Sequence, residues 1–434
     1  MSATFHSHPA QTYVPANQPL MYVIKDTGGA VASDIRFWVK VKETTNTTTE
    51  IAKIYLTPNA SSRAVFDLSS IVKDRLETDH LEPDGSGTLW DSTNKVNYST
   101  NATRKYTVET GTFDGSANTE SGAQATKVIF LVNGSQQIRD GLHPSFDGYY
   151  PTASAKKTWL TERTPNASGF LNLYHDDSDK GVMAFIHDNT IINGVDAVVD
   201  YSIHSSDGTQ LAASNAVISS SGGLALSNSN YSQKIHYLGF APSSLNFGSA
   251  NPSNHPTWSF YYLWLTNVGG STRVSPYITV NKKCGILKNQ RVQIAYANRL
   301  GGWDTLTFEG NTDKTLNVES KPYHKVLGDY NGDTYTFDPS DRTSVPYQVT
   351  AKTSYTLRNQ NFTIEENFLL EGLLKSEKVY MRYGVSADNV GGINDRGKWL
   401  PVLVDTKSLI IRDKPQSQIF DVTLNVTLAQ ESRC

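Results

Sequence analysis

Between residues 35 and 42 apolar and polar side chains alternate without a break. Ile35, Phe37, Val39 and Val41 fall on one face of an extended chain, and Arg36, Trp38, Lys40 and Lys42 on the other. Period two is the signature of a half-buried strand, because successive Cβ atoms leave a pleated backbone in opposite directions. Short apolar or strand-like runs recur at 20–25, 51–56, 127–133, 182–186, 195–203, 235–240, 260–266, 291–296 and 303–308, with renewed alternation at 379–385, separated by turns rich in Gly, Asn, Asp and Ser. Such spacing specifies antiparallel sandwiches or barrels and argues against a βαβ repeat.

Two segments carry helical spacing instead. Asp67 stands ahead of Leu68, Ile71, Val72 and Leu76, and Thr363 with Glu366 forms a capping-box pattern ahead of Phe368, Leu369, Leu370, Leu373 and Leu374. They predict one short helix after Asp67 and a second over 364–376. The predicted class is therefore mainly β: two to three antiparallel β-sandwich or barrel-like domains with two short helical inserts. A chain of 434 residues suits that number of domains. Residues 1–82 are expected to form an immunoglobulin-like sandwich with the first helix. Residues 83–125, dominated by Gly, Ser, Thr, Asn and Asp, are expected to be a loop or insertion. A middle β domain follows over 126–280, and a C-terminal β domain with the second helix over 281–434. In the last strand, within 418–430, Phe420, Val422, Leu424, Val426 and Leu428 alternate with Asp421, Thr423, Asn425 and Thr427, so its apolar face should anchor that domain.

Charge and motif content narrow the function classes. Net charge is −3 with the two signs interspersed, so no basic stripe offers itself to nucleic acid or an anionic membrane. No run approaches the roughly 18 apolar residues of a spanning helix, and residues 1–16 lack the pattern of an export signal, so synthesis and retention in the cytoplasm are expected. Cys284 and Cys434 are too few for a disulfide framework or a zinc site and are expected as free thiols. There is no G-x-S-x-G elbow, P-loop, H-E-x-x-H or glycine fingerprint after a strand, which leaves no cofactor, no catalytic residue and no enzyme to expect. Asp329, Asn331 and Asp333 alternate like calcium ligands, but Gly332 comes too early and no Glu occupies the twelfth place, so a hairpin turn is the stronger reading. His175, Asp176, Asp177 and Asp179 are read likewise as a polar turn. Glu365 and Glu366 are adjacent on a helix and point about 100° apart, which does not make an acid–base pair.

Aromatic residues leave a choice open. Trp90, Tyr149, Tyr150, Trp159, Trp258, Tyr261, Tyr262, Trp264 and Trp303 suit sandwich cores and subunit interfaces, and equally a platform on which sugar rings stack. The strands at 291–296 and 303–308 flank a turn, Ala297-Asn298-Arg299-Leu300-Gly301-Gly302, which predicts a hairpin.

From Cys284 through Gln290-Arg291 and a short strand to Asn298-Arg299-Leu300-Gly301-Gly302-Trp303-Asp304-Thr305-Leu306-Thr307-Phe308, the chain resembles a stretch common in virion structural proteins of tailed phages. Trp399-Leu400-Pro401-Val402-Leu403-Val404, followed by the strand within 418–430, is similar to the ends of the same proteins, and the two together cover roughly a third of the chain. The resemblance implies a tail, baseplate or head–tail component located in the virion. It would be a ring-forming homo-oligomer partnered by other virion structural proteins, with no catalytic residue to carry over. Asn298, Arg299 and Trp303 are the candidate partner contacts, with a buried Trp303 as the alternative. A host-recognition or glycan-binding tail module is the second expectation. A polysaccharide-degrading tail enzyme is the third, weakened because no carboxylate pair stands out.

Overall fold

A computed structural model describes residues 2–10, 12–28, 34–45, 48–78, 96–99, 101–135, 146–149, 158–187, 197–217, 234–245, 247–267, 272–283, 291–340, 342–383, 399–408, 419–429 and 432–433. The chain is mainly β, with two short α-helices at Ser69–Val72 and Ile364–Lys375, and no sheet closes into a barrel among the described residues. No described helix is long and apolar enough to cross a membrane. The chain divides into two compact units, Met1–Gly285 with Tyr296–Thr305, and Ile286–Ala295 with Leu306–Cys434.

The first unit contains two sandwiches. In one, the strands Ala3–Ser7, Met21–Asp26 and Arg63–Asp67 face a sheet ordered Tyr13–Pro15, Ala125–Val132, Thr103–Asp114, Ile35–Glu43, Thr49–Leu56. Between the layers lie Tyr22, Ile24 and Phe66 from the first, and Phe37, Val39, Val41, Val108, Ile129 and Leu131 from the second. Each such side chain contributes about 1.5–3 kcal/mol on burial, which is what the alternation in 35–42 encodes. Trp38 sits on the opposite face yet is also buried, because it lies over Gly111 and the Lys53 ammonium covers its ring at 4.6 Å. The first helix follows Asp67, whose Oδ1 accepts the amides of Ser69 at 3.0 Å and Leu20 at 3.1 Å. Leu68 and Val72 then turn into the core.

The expected loop over 83–125 is not what folds there. Its described part contains the strands Val96–Tyr98, Thr103–Asp114 and Thr119–Glu120, and Thr103–Asp114 is an inner strand of the sheet, paired with Ile35–Glu43 on one side and Ala125–Val132 on the other. The composition misleads because threonine, β-branched and compact, packs well in a pleat once its hydroxyl is satisfied, as when Thr110 Oγ1 donates to Trp38 O at 2.8 Å. The first sandwich therefore runs to Val132, well past the boundary expected at 82. Residues 83–95 lie outside the described residues.

In the second sandwich a five-stranded sheet ordered Phe170–His175, Tyr277–Lys282, Phe260–Asn267, Ala197–His204, Gln210–Val217 packs on Val182–His187, Lys234–Gly239 and Val96–Tyr98. Leu171, Met183, Phe185, Tyr201, Leu238, Leu263 and Ile278 fill it. Phe170–His175 pairs with Tyr277–Lys282 in parallel, as Tyr13–Pro15 does with Ala125–Val132, so the sheets are not wholly antiparallel. Both parallel partners are separated by about a hundred residues or more of chain, and no hairpin dictates their direction.

The second unit is built on a sheet whose strands run in the order 306–308, 292–295, Val379–Tyr383, Trp399–Val404, Ile419–Leu428, Ser344–Thr363, Thr312–His324. The helix Ile364–Lys375 begins directly after Thr363 and buries Leu369, Leu370 and Leu373. Val422, Leu424 and Val426 are buried while Asp421, Thr423 and Asn425 are exposed, as the alternation requires. Beyond this body the two longest strands form a ribbon. Ser344–Thr363 keeps Ile419–Leu428 as a second neighbour only over residues 354–363, and Ser432–Arg433 at Thr350 and Ala351. Nearer the tip it pairs with Thr312–His324 alone among the described residues.

The placement of Thr103–Asp114 has a direct check. Amide hydrogen exchange on the full chain should place Tyr106, Val108 and Thr110 among the slowest sites of the first sandwich, whereas exchange at loop rates there would contradict the pairing.

Candidate functional site

The predicted partner contacts lie in the hairpin turn, and the structure turns two of them inward. Asn298 is 5 % exposed and Trp303 fully buried, so neither is presented to a partner. Asn298 organises the turn: its Oδ1 accepts the amides of Leu300 and Gly302, both at 3.0 Å, and its Nδ2 donates to Leu160 O at 2.9 Å and Asp304 Oδ2 at 2.8 Å. Gly301 takes φ +83°, and a Cβ there would stand 2.5 Å from Asn133 O. At Gly302 a Cβ would stand 2.2 Å from Leu160 O. The glycine pair thus serves two purposes, a left-handed turn at the first and close backbone approach at the second. Trp303, next in the chain, is fully buried. Arg299 is the one half-exposed member, and its Nε is committed to Glu162 Oε1 at 3.1 Å.

Two carboxylates meet here that the sequence did not flag. Asp304 Oδ1 accepts from the Thr161 hydroxyl, and its Oδ2 accepts the Glu162 amide at 3.0 Å as well as Asn298 Nδ2. Glu162 accepts from Arg299 on one oxygen and from the Tyr296 hydroxyl, at 3.2 Å, on the other. Burial, with the Asp304 charge beside it, pushes the Glu162 carboxyl up to about 7, against the pull of Arg299 and Tyr296. Burial also raises the Tyr296 hydroxyl well above its ordinary value. A carboxyl that titrates near neutrality can serve as a general acid or base. In this cluster every carboxylate oxygen is already held by the chain's own donors, and neither Glu162 nor Asp304 lines a described cavity. The arrangement fixes the hairpin to residues 160–163, and no signal of local spacing could have joined positions 142 residues apart.

The other candidates separate clearly. Asp329–Asn331 and Thr334–Thr336 form a two-residue hairpin with Gly332 at φ +68°. In the acidic turn after His175, Asp179 Oδ2 holds the Asp176 amide at 2.9 Å and lies 3.2 Å from His175 Nδ1, while Asp177 binds Trp258 Nε1 at 2.9 Å. Cys284, Cys434, Trp90 and Tyr150 lie outside the described residues. Trp159, Trp258 and Tyr261 are core residues.

Tyr262 and Trp264 are not. They point away from the core, on the outer face of the five-stranded sheet, where a groove of about 850 Å³ is lined by Phe170, Asp200, Ser202, His204, Gln210, Ser214, Tyr262, Trp264 and Tyr277, among others. The rings brace one another: Phe170 stacks on Tyr277 at 5.1 Å, Trp264 meets Tyr277 edge-on at 5.3 Å, and His204 stacks on Phe260 at 5.1 Å. Asp200, Ser202 and His204 share this face through period two, a signal present in the sequence but overlooked beside the aromatics. The second surface feature belongs to the ribbon of the other unit. Twelve of the thirteen residues of Thr312–His324 are exposed, and of the fourteen large exposed apolar side chains among the described residues, eight fall within 316–347.

Comparison with models of known protein families and with curated proteins finds no match to this chain.

Two outcomes test the hairpin. Trp303→Ala should lower stability by about 3–5 kcal/mol in denaturant titrations, the usual cost of deleting a buried aromatic, and a variant that unfolds like the parent would refute its burial. Gly301→Val should destabilise in the same sense.

A third outcome concerns pH. A carboxyl whose folded pKa lies above its unfolded value stabilises the fold while protonated, so the contribution of Glu162 is full below about 4.5 and lost as pH rises through about 7. Glu162→Gln should therefore gain on the parent by up to about 3 kcal/mol at pH 8 and match it near pH 4.5. A difference independent of pH would contradict the raised pKa.

Proposed function

We propose that this chain is a non-enzymatic structural subunit of a tailed phage particle, from its tail or baseplate region, and that it associates with further copies of itself in a closed ring. The observation that carries the reading is the ribbon formed by Thr312–His324 and Ser344–Thr363. A two-stranded ribbon is marginal in water by itself, since it has no second layer on which to bury a face. This one extends for about 40 Å along Thr312–His324 at the usual rise per residue. Its strands display Leu316, Val318, Tyr323 and Tyr347, the segment joining them displays Val326, Tyr330, Tyr335 and Phe337, and Thr312–His324 is the terminal strand of its sheet. An exposed edge with an apolar surface is a template for strand addition from a neighbour. Lys314, Glu319, Lys321 and Pro322 on the same strand keep such an edge from pairing indiscriminately.

The likeness of residues 284–308 and of the C-terminal strands to virion proteins of tailed phages supports the setting, a particle assembled from other structural proteins. The closed hydrogen bonding around Glu162 and Asp304 supports a structural use of the one buried carboxylate pair described. A homo-oligomer with cyclic symmetry is the simplest assembly in which every copy satisfies its arm on the next.

Sedimentation and native mass spectrometry on the full chain test this. The parent should form a discrete oligomer at micromolar concentration, and Leu316→Glu with Val318→Glu, both exposed, should shift it to monomer with the melting transition unchanged. A parent that is monomeric throughout, or an oligomer indifferent to the two substitutions, would overturn the reading.

A further inference from the structure

We propose that the outer face of the five-stranded sheet in the second sandwich is a binding groove for a neutral oligosaccharide, with Trp264, Tyr262 and Tyr277 as its stacking surface and Asp200 and Gln210 as its hydrogen-bonding groups. The inference goes beyond the assembly role and draws on different residues, so either can fail alone.

The groove is polar and aromatic at once. Its volume of about 850 Å³ falls in the range of small-molecule sites. A pyranose offers an apolar face of C–H groups to an aromatic ring and a rim of hydroxyls to acceptors and donors in its plane, so it asks for this combination. Trp264, Tyr262 and Tyr277 are half-buried, which exposes part of each ring while neighbours hold it in place. Rigid rings lose little entropy on binding. Asp200 has Oδ2 committed to the Thr266 hydroxyl at 2.7 Å, while its Oδ1 has no protein partner among the described residues. Gln210 and the hydroxyls of Tyr262 and Tyr277 are likewise unengaged there. A carboxylate accepting sugar hydroxyls makes the stronger, charge-assisted kind of hydrogen bond.

One end of the groove is held rigid. His204 Nδ1 donates to Gly208 O at 3.2 Å, since a carbonyl can only accept, and Nε2 lies 3.1 Å from the Ser202 hydroxyl. Stacking on Phe260 at an interplanar angle of 6° fixes the imidazole further.

Charge and geometry select the ligand class. Asp200 is the one formally charged side chain in the lining, and no Lys or Arg lines the groove to receive an anionic sugar. Arg273 lies against the Tyr277 ring, 4.2 Å from its centroid, and is not among the lining residues. A peptide would add to a strand edge, but this site is a sheet face whose inner strands already have both neighbours.

The test is a printed array of defined neutral and acidic oligosaccharides probed with the full chain, followed by isothermal titration of the strongest neutral binder. Binding to neutral oligosaccharides, weakened tenfold or more by Trp264→Ala and by Gln210→Ala, is the expected result. Gln210 is an exposed residue whose truncation leaves the core untouched, so its loss of binding at an unchanged melting temperature separates recognition from folding. Silence across the array, binding confined to acidic sugars, or neutral binding indifferent to both variants would each overturn the proposal.

Discussion

A strand whose side chains alternate can bury only one face, so a sheet made of such strands is incomplete until a second layer covers it. Most of this molecule satisfies that requirement. In the first sandwich Phe37, Val39 and Val41 meet Tyr22, Ile24 and Phe66, and in the second Leu263 and Ile278 meet Met183 and Phe185. Helix content is low because a second sheet supplies each cover, and the longer helix does the same service for its own unit with three leucines. The ribbon of Thr312–His324 and Ser344–Thr363 is where the requirement goes unmet within the described chain. Its apolar residues are placed as in any strand, but no layer lies against them.

The hairpin tip illustrates how the same requirement is met by polar groups. Two glycines let the turn approach Asn133 and Leu160 closely enough to bury Trp303, and burial at that distance obliges every polar atom nearby to find a donor or acceptor. Asn298 alone satisfies four such bonds. Glu162 bears part of the cost as a raised pKa, which is the expected consequence of holding two carboxyls beside each other out of water. The residues that looked like an interface in sequence are therefore fold-determining, because a turn motif of Asn, Gly, Gly and Trp has the same spelling whether its aromatic points in or out.

Legibility in the sequence follows from how local the cause is. Period two revealed Ile35–Glu43, Val379–Tyr383 and Ile419–Leu428, short strand-like runs between turn signals revealed Val182–His187, Phe260–Asn267 and Trp303–Phe308, and helical spacing revealed Ile364–Lys375, because these patterns are set by neighbouring residues. Thr103–Asp114 was missed since its inward threonines resemble turn residues until a sheet surrounds them. The groove was half legible: Tyr262 and Trp264 stood out as aromatics, but only the register of Ala197–His204 against Phe260–Asn267 puts Asp200 opposite Trp264 and Ser202 opposite Tyr262. The ribbon was invisible in advance, because exposure of an apolar side chain depends on what fails to pack on it, and that is not written in the spacing of Leu316 and Val318.

In the proposed assembly the uncovered ribbon finds its missing layer in another copy of the same chain. A cryo-EM reconstruction of the oligomer formed by the full chain is the measurement that decides this. The expected map shows the free edge of Thr312–His324 continuing into a strand of the adjacent copy, with Leu316 and Val318 covered. A map that shows this chain with its ribbon standing free in solvent would contradict it.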